Sequence, residues 1–298
     1  MHDVIIVGGG IAGMSAALVL GRCRRSVLVF DTGKPRNRAS RALHGFLSRD
    51  GVHPFELRRI AREQLQEYPS VEYREMEVID AEAVEGGYRV VLADGSSLDC
   101  RYLLIATGII DKLPQLQGVA DLYGRSVFHC PYCDGWEMRD QPVAVYGCGA
   151  TGCEYALELL GWSSDVVLCL DGGDLSPQQQ KRLHENGVKV RRERIAALGA
   201  RDGILERIVF VTGEPLPRPA LFFHPDQRQS CHLAEKLGCS LNGGVVETAR
   251  FQQTHARLYV AGDAARSVQL GIVAAAEGAE AAFAINSELL KESWKSER

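Results

Sequence analysis

The chain opens on a short apolar run, residues 4–7, that passes directly into glycines. A mixed segment, 11–24, follows, and then a second apolar run, 27–30. Short apolar runs bounded by turn residues predict buried strands, and the stretch between them has the length of a helix. Further on, residues 76–84, 88–92 and 102–105 predict strands, with Asp94 and Gly95 as a hairpin turn. A first break falls near Leu113 and Pro114.

The opening pattern then recurs. Residues 142–146 are a strand candidate, 147–152 a glycine turn, the stretch to 160 a helix, and 166–170 a second apolar strand ending at Asp171. This is an internal repeat of the first unit. Residues 177–186 predict a helix closed by Gly187, and 188–190 the next strand. The chain returns to a late apolar strand, 258–260, followed by Gly262, Asp263 and a long alanine-rich helix from about Val268. Strands alternating with helices place the protein in the α/β class, with two Rossmann-like three-layer domains.

Each repeat carries a GxGxxG turn. In the first, Gly8 permits the tight turn, Gly10 lets the backbone approach a pyrophosphate, and Gly13 allows close helix-to-strand packing. Asp31 ends the following strand, where an acid accepts the ribose hydroxyls of an adenosine. Dinucleotide binding is the expectation here, against a tight turn with no ligand. The second turn has Gly147, Gly149 and Gly152, and Asp171 stands where Asp31 stands in the first. The late Gly262–Asp263 turn precedes a helix whose positive end suits a flavin or a pyrophosphate.

Between the repeats lies a CxxC, Cys130 and Cys133, shortly before Gly147. The other seven of the nine cysteines lack motif spacing, so a secreted disulfide framework is disfavoured. With no second CxxC and no paired histidines, no metal site is expected. A redox dithiol competes with a pair of buried structural thiols. Composition narrows the classes: 46% hydrophobic and 24% charged residues describe a globular chain, and a net charge of -4 gives no footprint for nucleic acid. The arginines at 36, 38 and 41 read as a solvated face or a phosphate contact. Residues 271–290 carry Glu277, Glu280 and Glu288, too polar for a membrane span. A strand beginning at residue 4 leaves no room for a signal peptide, so a cytoplasmic location is expected.

The order GGGIAG, ATG, CxxCDG, GxGxxG and AGDA resembles the low-molecular-weight thioredoxin reductases and their relatives over essentially the whole chain. The resemblance implies an FAD domain built from both chain ends, residues 1–113 and 242–298. A pyridine-nucleotide-type domain, 114–241, is inserted between them and carries the CxxC. It also implies a homodimer, and an inserted domain that swings to present either nucleotide or disulfide to the flavin. By the same resemblance Gly8, Gly10, Gly13 and Asp31 hold the ADP part of FAD, and Asp263 makes its second FAD contact. Cys133 is the sulfur nearest the flavin, Cys130 exchanges with substrate, and Asp134 shuttles a proton. Those residue types suit the task, because a thiolate attacks and a nearby carboxylate takes or returns the proton.

Two departures qualify the resemblance. NADPH-using relatives follow the second Rossmann strand with a basic HRRxxxR-like segment, whereas this chain reads Leu170, Asp171, Gly172, Gly173, Asp174. Carboxylates repel a 2′-phosphate but accept a ribose hydroxyl, so either NADH binds or no nucleotide does. The segments 33–37 and 44–51 and the CPYC core resemble a shorter branch that includes dithiol oxidases of disulfide-bearing natural products. The favoured reading is an FAD-dependent oxidase of a dithiol substrate. The alternatives are a reductase of a thioredoxin-like protein fed by NADH, NADPH or a non-nucleotide donor, and a flavin redox sensor without turnover. His44 is read as a structural or surface histidine, with a catalytic or flavin-side role as the alternative. Trp294 is read as packing at the helix end or dimer seam, with a flavin or substrate lid as the sharper alternative.

Overall fold

The computed structural model describes residues 1–295 and divides into two compact units. The first unit comprises Met1–Arg38, Phe46–Ile110 and the chain from Gln227 onward; the second comprises Ala39–Gly45 and Asp111–Asp226. The crossings lie in strands Ile109–Lys112 and Asp226–Gln229, which pair with each other. The return at Gln227 comes earlier than the expected residue 242. Leu233, Ala234 and Cys239 are buried in the core of the first unit, and that burial assigns the intervening segment to it. The short segment Ala39–Gly45, expected in the first unit, belongs to the second.

In the first unit, β1 (His2–Val7), α1 (Ile11–Arg22), β2 (Val27–Asp31), α2 (Pro54–Gln66) and β3 (Val71–Glu75) form the predicted opening, with β3 and α2 added. Strands β4 (Val78–Val84), β5 (Gly87–Leu92) and β6 (Ser97–Ile105) follow. The strand Leu258–Val260 joins β6, β1, β2 and β3 in one parallel run, with Val4 beside Val27 and Tyr102, while β4 and β5 add antiparallel to it. Strands buried on both faces explain the unbroken apolar runs of the sequence. The C-terminal helix, Gly271–Lys295, packs on α1 through small residues, Ala274, Ala281 and Ala282 against Ala12, Ala16 and Ala17. A Cβ on Gly278 would land on the Ala12 carbonyl oxygen, so the helices meet backbone to backbone.

The second unit centres on a five-stranded parallel sheet. In chain order its strands are β7 (Val127–Phe128), β8 (Val143–Tyr146), β9 (Val166–Cys169), β10 (Lys189–Arg191) and β11 (Ala220–Phe223); in space they run β10, β9, β8, β11, β7. The one-turn helix α3 (Pro131–Asp134) leaves β7, and α4 (Gly149–Glu158) follows β8. One sheet face is covered by α4 and its neighbours, the other by a three-stranded antiparallel layer that includes Ile195–Arg201 and Ile204–Phe210. No helix among the described residues is long and apolar enough to cross a membrane.

Candidate active site and nucleotide cradles

In the first unit the glycine turn is built as its spacing predicts. Gly8 has φ +110°, and a Cβ there would strike the Ala106 carbonyl; one on Gly13 would strike the Gly8 carbonyl. At Gly10 a Cβ would meet nothing within 4 Å among the described residues. Gly10 is also the N-cap of α1 and brings no side-chain acceptor to the first-turn amides. Open space in front of those amides is the requirement for a dinucleotide pyrophosphate, and the residues therefore fit FAD.

Asp31 ends β2 as expected but is heavily engaged. It is only 8% exposed, and its Oδ1 accepts from the Gly9 amide at 3.2 Å. Its Oδ2 accepts from the Gly33 amide at 3.1 Å, the Tyr73 hydroxyl at 2.6 Å and the Arg58 guanidinium. Burial alone would raise the Asp31 carboxyl; the Tyr73 hydrogen bond and Arg58 outweigh it and hold the group below its ordinary value. Arg58, Arg62 and Tyr73 were not singled out in the sequence. The one available signal was the i, i+4 spacing of the two arginines on an amphipathic helix. Asp263, in the predicted Gly-Asp turn, pairs with Arg36 at 2.8 Å. That assigns one of the clustered arginines to a carboxylate and not to a solvated face. Gly262 in turn donates to buried Glu277 at 2.8 Å, and Glu277 also holds Arg266.

In the second unit Cys130 caps α3, Pro131 supplies the fixed φ of its first position, and Cys133 and Asp134 complete the turn. The amides of Cys133 and Asp134 both point to the Cys130 carbonyl, at 3.2 and 3.1 Å. Cys130 and Cys133 are joined as a disulfide with a Cα–Cα distance of 5.2 Å, and both are half-buried. Burial therefore does not separate a substrate-side sulfur from a flavin-side one. Gly135 follows because a Cβ there would sit 2.9 Å from Trp162 Cγ. Tyr132, between the two cysteines, and Trp136, just after them, are 67% and 65% exposed, and Tyr132 meets Trp162 edge-on at 5.3 Å.

Asp134 is the strongly perturbed acid of this unit. Burial pushes its carboxyl up to about 7; Glu137 adds to the rise and His44 opposes it. His44 arrives from the inserted segment and places Nε2 3.5 Å from Glu137 Oε1. Only tertiary contact reveals this: Ala39 lies so close to Gly124 that a Cβ there would come within 2.5 Å of the Ala39 carbonyl.

The second glycine turn differs from the first. Gly152 packs on Gly147, as the spacing predicts. The Gly149 amide, however, donates to the Asp174 carbonyl at 3.1 Å, and a Cβ on Gly173 would lie 2.7 Å from Cys148 Cβ. Asp171, in the left-handed region at φ +51°, accepts from the Ile195 amide at 2.7 Å. The carboxylate expected to meet a ribose is thus engaged within its own unit. Arg194 lies over Gly172, and Arg192 stands 3.9 Å from Asp174. Both come from just beyond β10, so basic groups reach this turn from the neighbouring strand where the local sequence shows only acids.

Residues 2–278 match the family model for pyridine nucleotide-disulphide oxidoreductases. The chain belongs to that family. The solved structure of HlmI superposes with a TM-score of 0.94 at 34% identity, covering 99% of this chain and 94% of that one. An oxidoreductase from Agrobacterium tumefaciens gives 0.90 at 33% identity, covering 97% and 98%. The thioredoxin reductase tcpT of Claviceps purpurea is 29% identical over 275 residues, 88% of this chain and 86% of the relative. Other relatives are matched over about half of their own length, 45% and 48%. The protein is a thioredoxin reductase-like, FAD-dependent oxidoreductase of the class that acts on sulfur groups.

Proposed function

We propose that the protein oxidises a dithiol substrate to a disulfide, with Cys130–Cys133 as the redox pair and FAD as the acceptor of its electrons. The observation that carries this direction is the Gly149 amide donated to Asp174. A pyrophosphate needs that amide, which the chain's own Asp174 carbonyl holds. A Cβ on Gly149 would meet nothing within 4 Å, so it is the engaged amide and not a lack of space that disfavours a nicotinamide nucleotide and leaves thiols as the simplest electron source. A substrate thiolate attacks Cys130, Cys133 departs, and the second substrate thiol releases Cys130 as the substrate disulfide closes. Bound FAD supplies two-electron acceptance from the dithiol and passage to oxygen or another acceptor. Asp134 holds the proton that Cys133 gains as its S–S bond breaks.

A second reading has its own support. Arg192 and Arg194 stand beside this turn, where guanidinium groups pair with a 2′-phosphate if the Gly149–Asp174 hydrogen bond opens. That reading is a reductase of a thioredoxin-like protein fed by NADPH. Anaerobic titration of the flavin spectrum decides between them, with NADH, NADPH, reduced ferredoxin and small dithiols added separately. The expected result is fast bleaching by dithiols and slow or absent bleaching by both nucleotides. Fast bleaching by NADPH overturns the proposal and returns the protein to the reductases; no bleaching by any donor leaves a redox sensor.

The proposal includes a cytoplasmic homodimer without nucleic-acid or membrane partners. Its support is the C-terminal helix, where Phe283, Leu290 and Trp294 are 61%, 39% and 61% exposed at spacings that share one face. Trp294 does not pack at the helix end within its own chain, and the dimer seam is the role that remains in this proposal.

A further inference from the structure

We propose that His44 and Glu137 form the proton relay between solvent and Asp134, making them positioning and relay residues for the CxxC chemistry. The inference rests on the reading of Cys130–Cys133 as a redox pair and adds a route for the proton which that reading requires.

Asp134 is half-buried, and two partly exposed groups act on its charge. Asp134 follows Cys133 directly and ends the one-turn helix. Glu137 lies three residues on, with its side chain 38% exposed. His44, 24% exposed, reaches Glu137 from the inserted segment at 3.5 Å. The helix Gly149–Glu158 carries Tyr155, whose residue is 6% exposed and whose hydroxyl is buried without a hydrogen-bond partner among the described residues. Burial and the nearby Glu158 and Asp134 hold that hydroxyl far above its ordinary value, so it does not carry charge outward near neutrality. The titratable groups coupled to Asp134 are therefore Glu137 from its own turn, His44 from the inserted segment and Tyr155 from the helix. Only the first two are partly exposed, and they interact with each other.

A substrate thiolate forms a bond to Cys130 Sγ, the Cys130–Cys133 bond breaks, and its electron pair leaves on Cys133 Sγ. That sulfur takes the Asp134 proton. The protein disulfide is reduced by one thiolate equivalent, and the substrate is held as a mixed disulfide. Asp134, now a carboxylate, recovers a proton from solvent by way of Glu137 and His44. Without the relay each turnover waits for water to reach the Asp134 carboxylate.

The test uses the oxidised holoenzyme and dithiothreitol. Infrared difference spectra follow the protonated-carboxyl band across pH, assigned to Asp134 by its loss in Asp134→Asn. The charge signs give opposite expectations. Glu137→Gln removes a group that raises the Asp134 pKa, so the midpoint falls. His44→Gln removes a group that lowers it, so the midpoint rises, each by on the order of half a pH unit. In His44→Ala, single-turnover reduction of the disulfide slows about tenfold, and added imidazole restores it. An unmoved band in both variants, shifts of the same sign, or a slowed His44→Ala that imidazole does not rescue overturns the proposal. A wild-type disulfide that dithiothreitol cannot reduce overturns the redox reading itself, and the two failures are therefore distinct.

Discussion

Single residues set the chemistry, and Asp134 shows the stability cost of doing so. Its carboxyl, near 3.8 in the unfolded chain, is pushed up to about 7 by burial in the folded one. Between those values the folded state binds the proton and the unfolded state does not, so stability falls as pH rises through that window. Asp134→Asn removes the effect. The variant is expected to exceed the wild type in urea stability at pH 8 by up to about 4 kcal/mol, and to match it near pH 4. Equal stability of the two proteins at pH 8 would show that the carboxyl is not held against its charge. The CxxC and its trailing aspartate were legible in the sequence because they are contiguous. Glu137 and His44 were not joined to them, because His44 lies in a segment whose chain neighbours belong to the other unit.

Elements are held where backbones come close, and the contact of α1 with the C-terminal helix is one such case. A helical glycine usually gains about 0.5–1 kcal/mol on becoming alanine. At Gly278 the added carbon meets the Ala12 backbone, which has no flexible end to move aside. Gly278→Val is therefore expected to destabilise by about 1–3 kcal/mol through overpacking, read as a lower urea midpoint at unchanged slope. A neutral or stabilising result would mean that the helices separate at little cost. The alanine-rich pattern announced this helix, but nothing in it named α1 as the partner. The second glycine turn was legible as a turn for the same local reason. The engagement of its Gly149 amide was not, because it depends on a hydrogen bond between Gly149 and Asp174 across two loops.

The whole molecule is proposed to be a dimer through the exposed face of the C-terminal helix. Phe283 meets Phe251 edge-on at 6.0 Å, and Leu290 and Trp294 continue the face along the helix. Charge placed on that face leaves a monomer's fold intact but must be desolvated in a dimer. Phe283→Glu with Leu290→Glu is expected to convert a two-chain particle to a single chain of 32.6 kDa by light scattering, with FAD retained. A wild type that runs as one chain at micromolar concentration would end this part of the proposal.

Local periodicity by itself determined the α/β class, the two glycine turns, the strands that feed them and the position of the CxxC. Each is a pattern of adjacent residues answering to backbone geometry, and such patterns survive without knowledge of the fold. The tertiary structure alone decided which polar groups meet: Arg58 and the Tyr73 hydroxyl on Asp31, Arg36 on Asp263, the Ile195 amide on Asp171, His44 on Glu137. It also decided that the chain returns to its first unit at Gln227. Those contacts join residues distant along the chain, and their energy comes from burial and charge pairing that no local window contains.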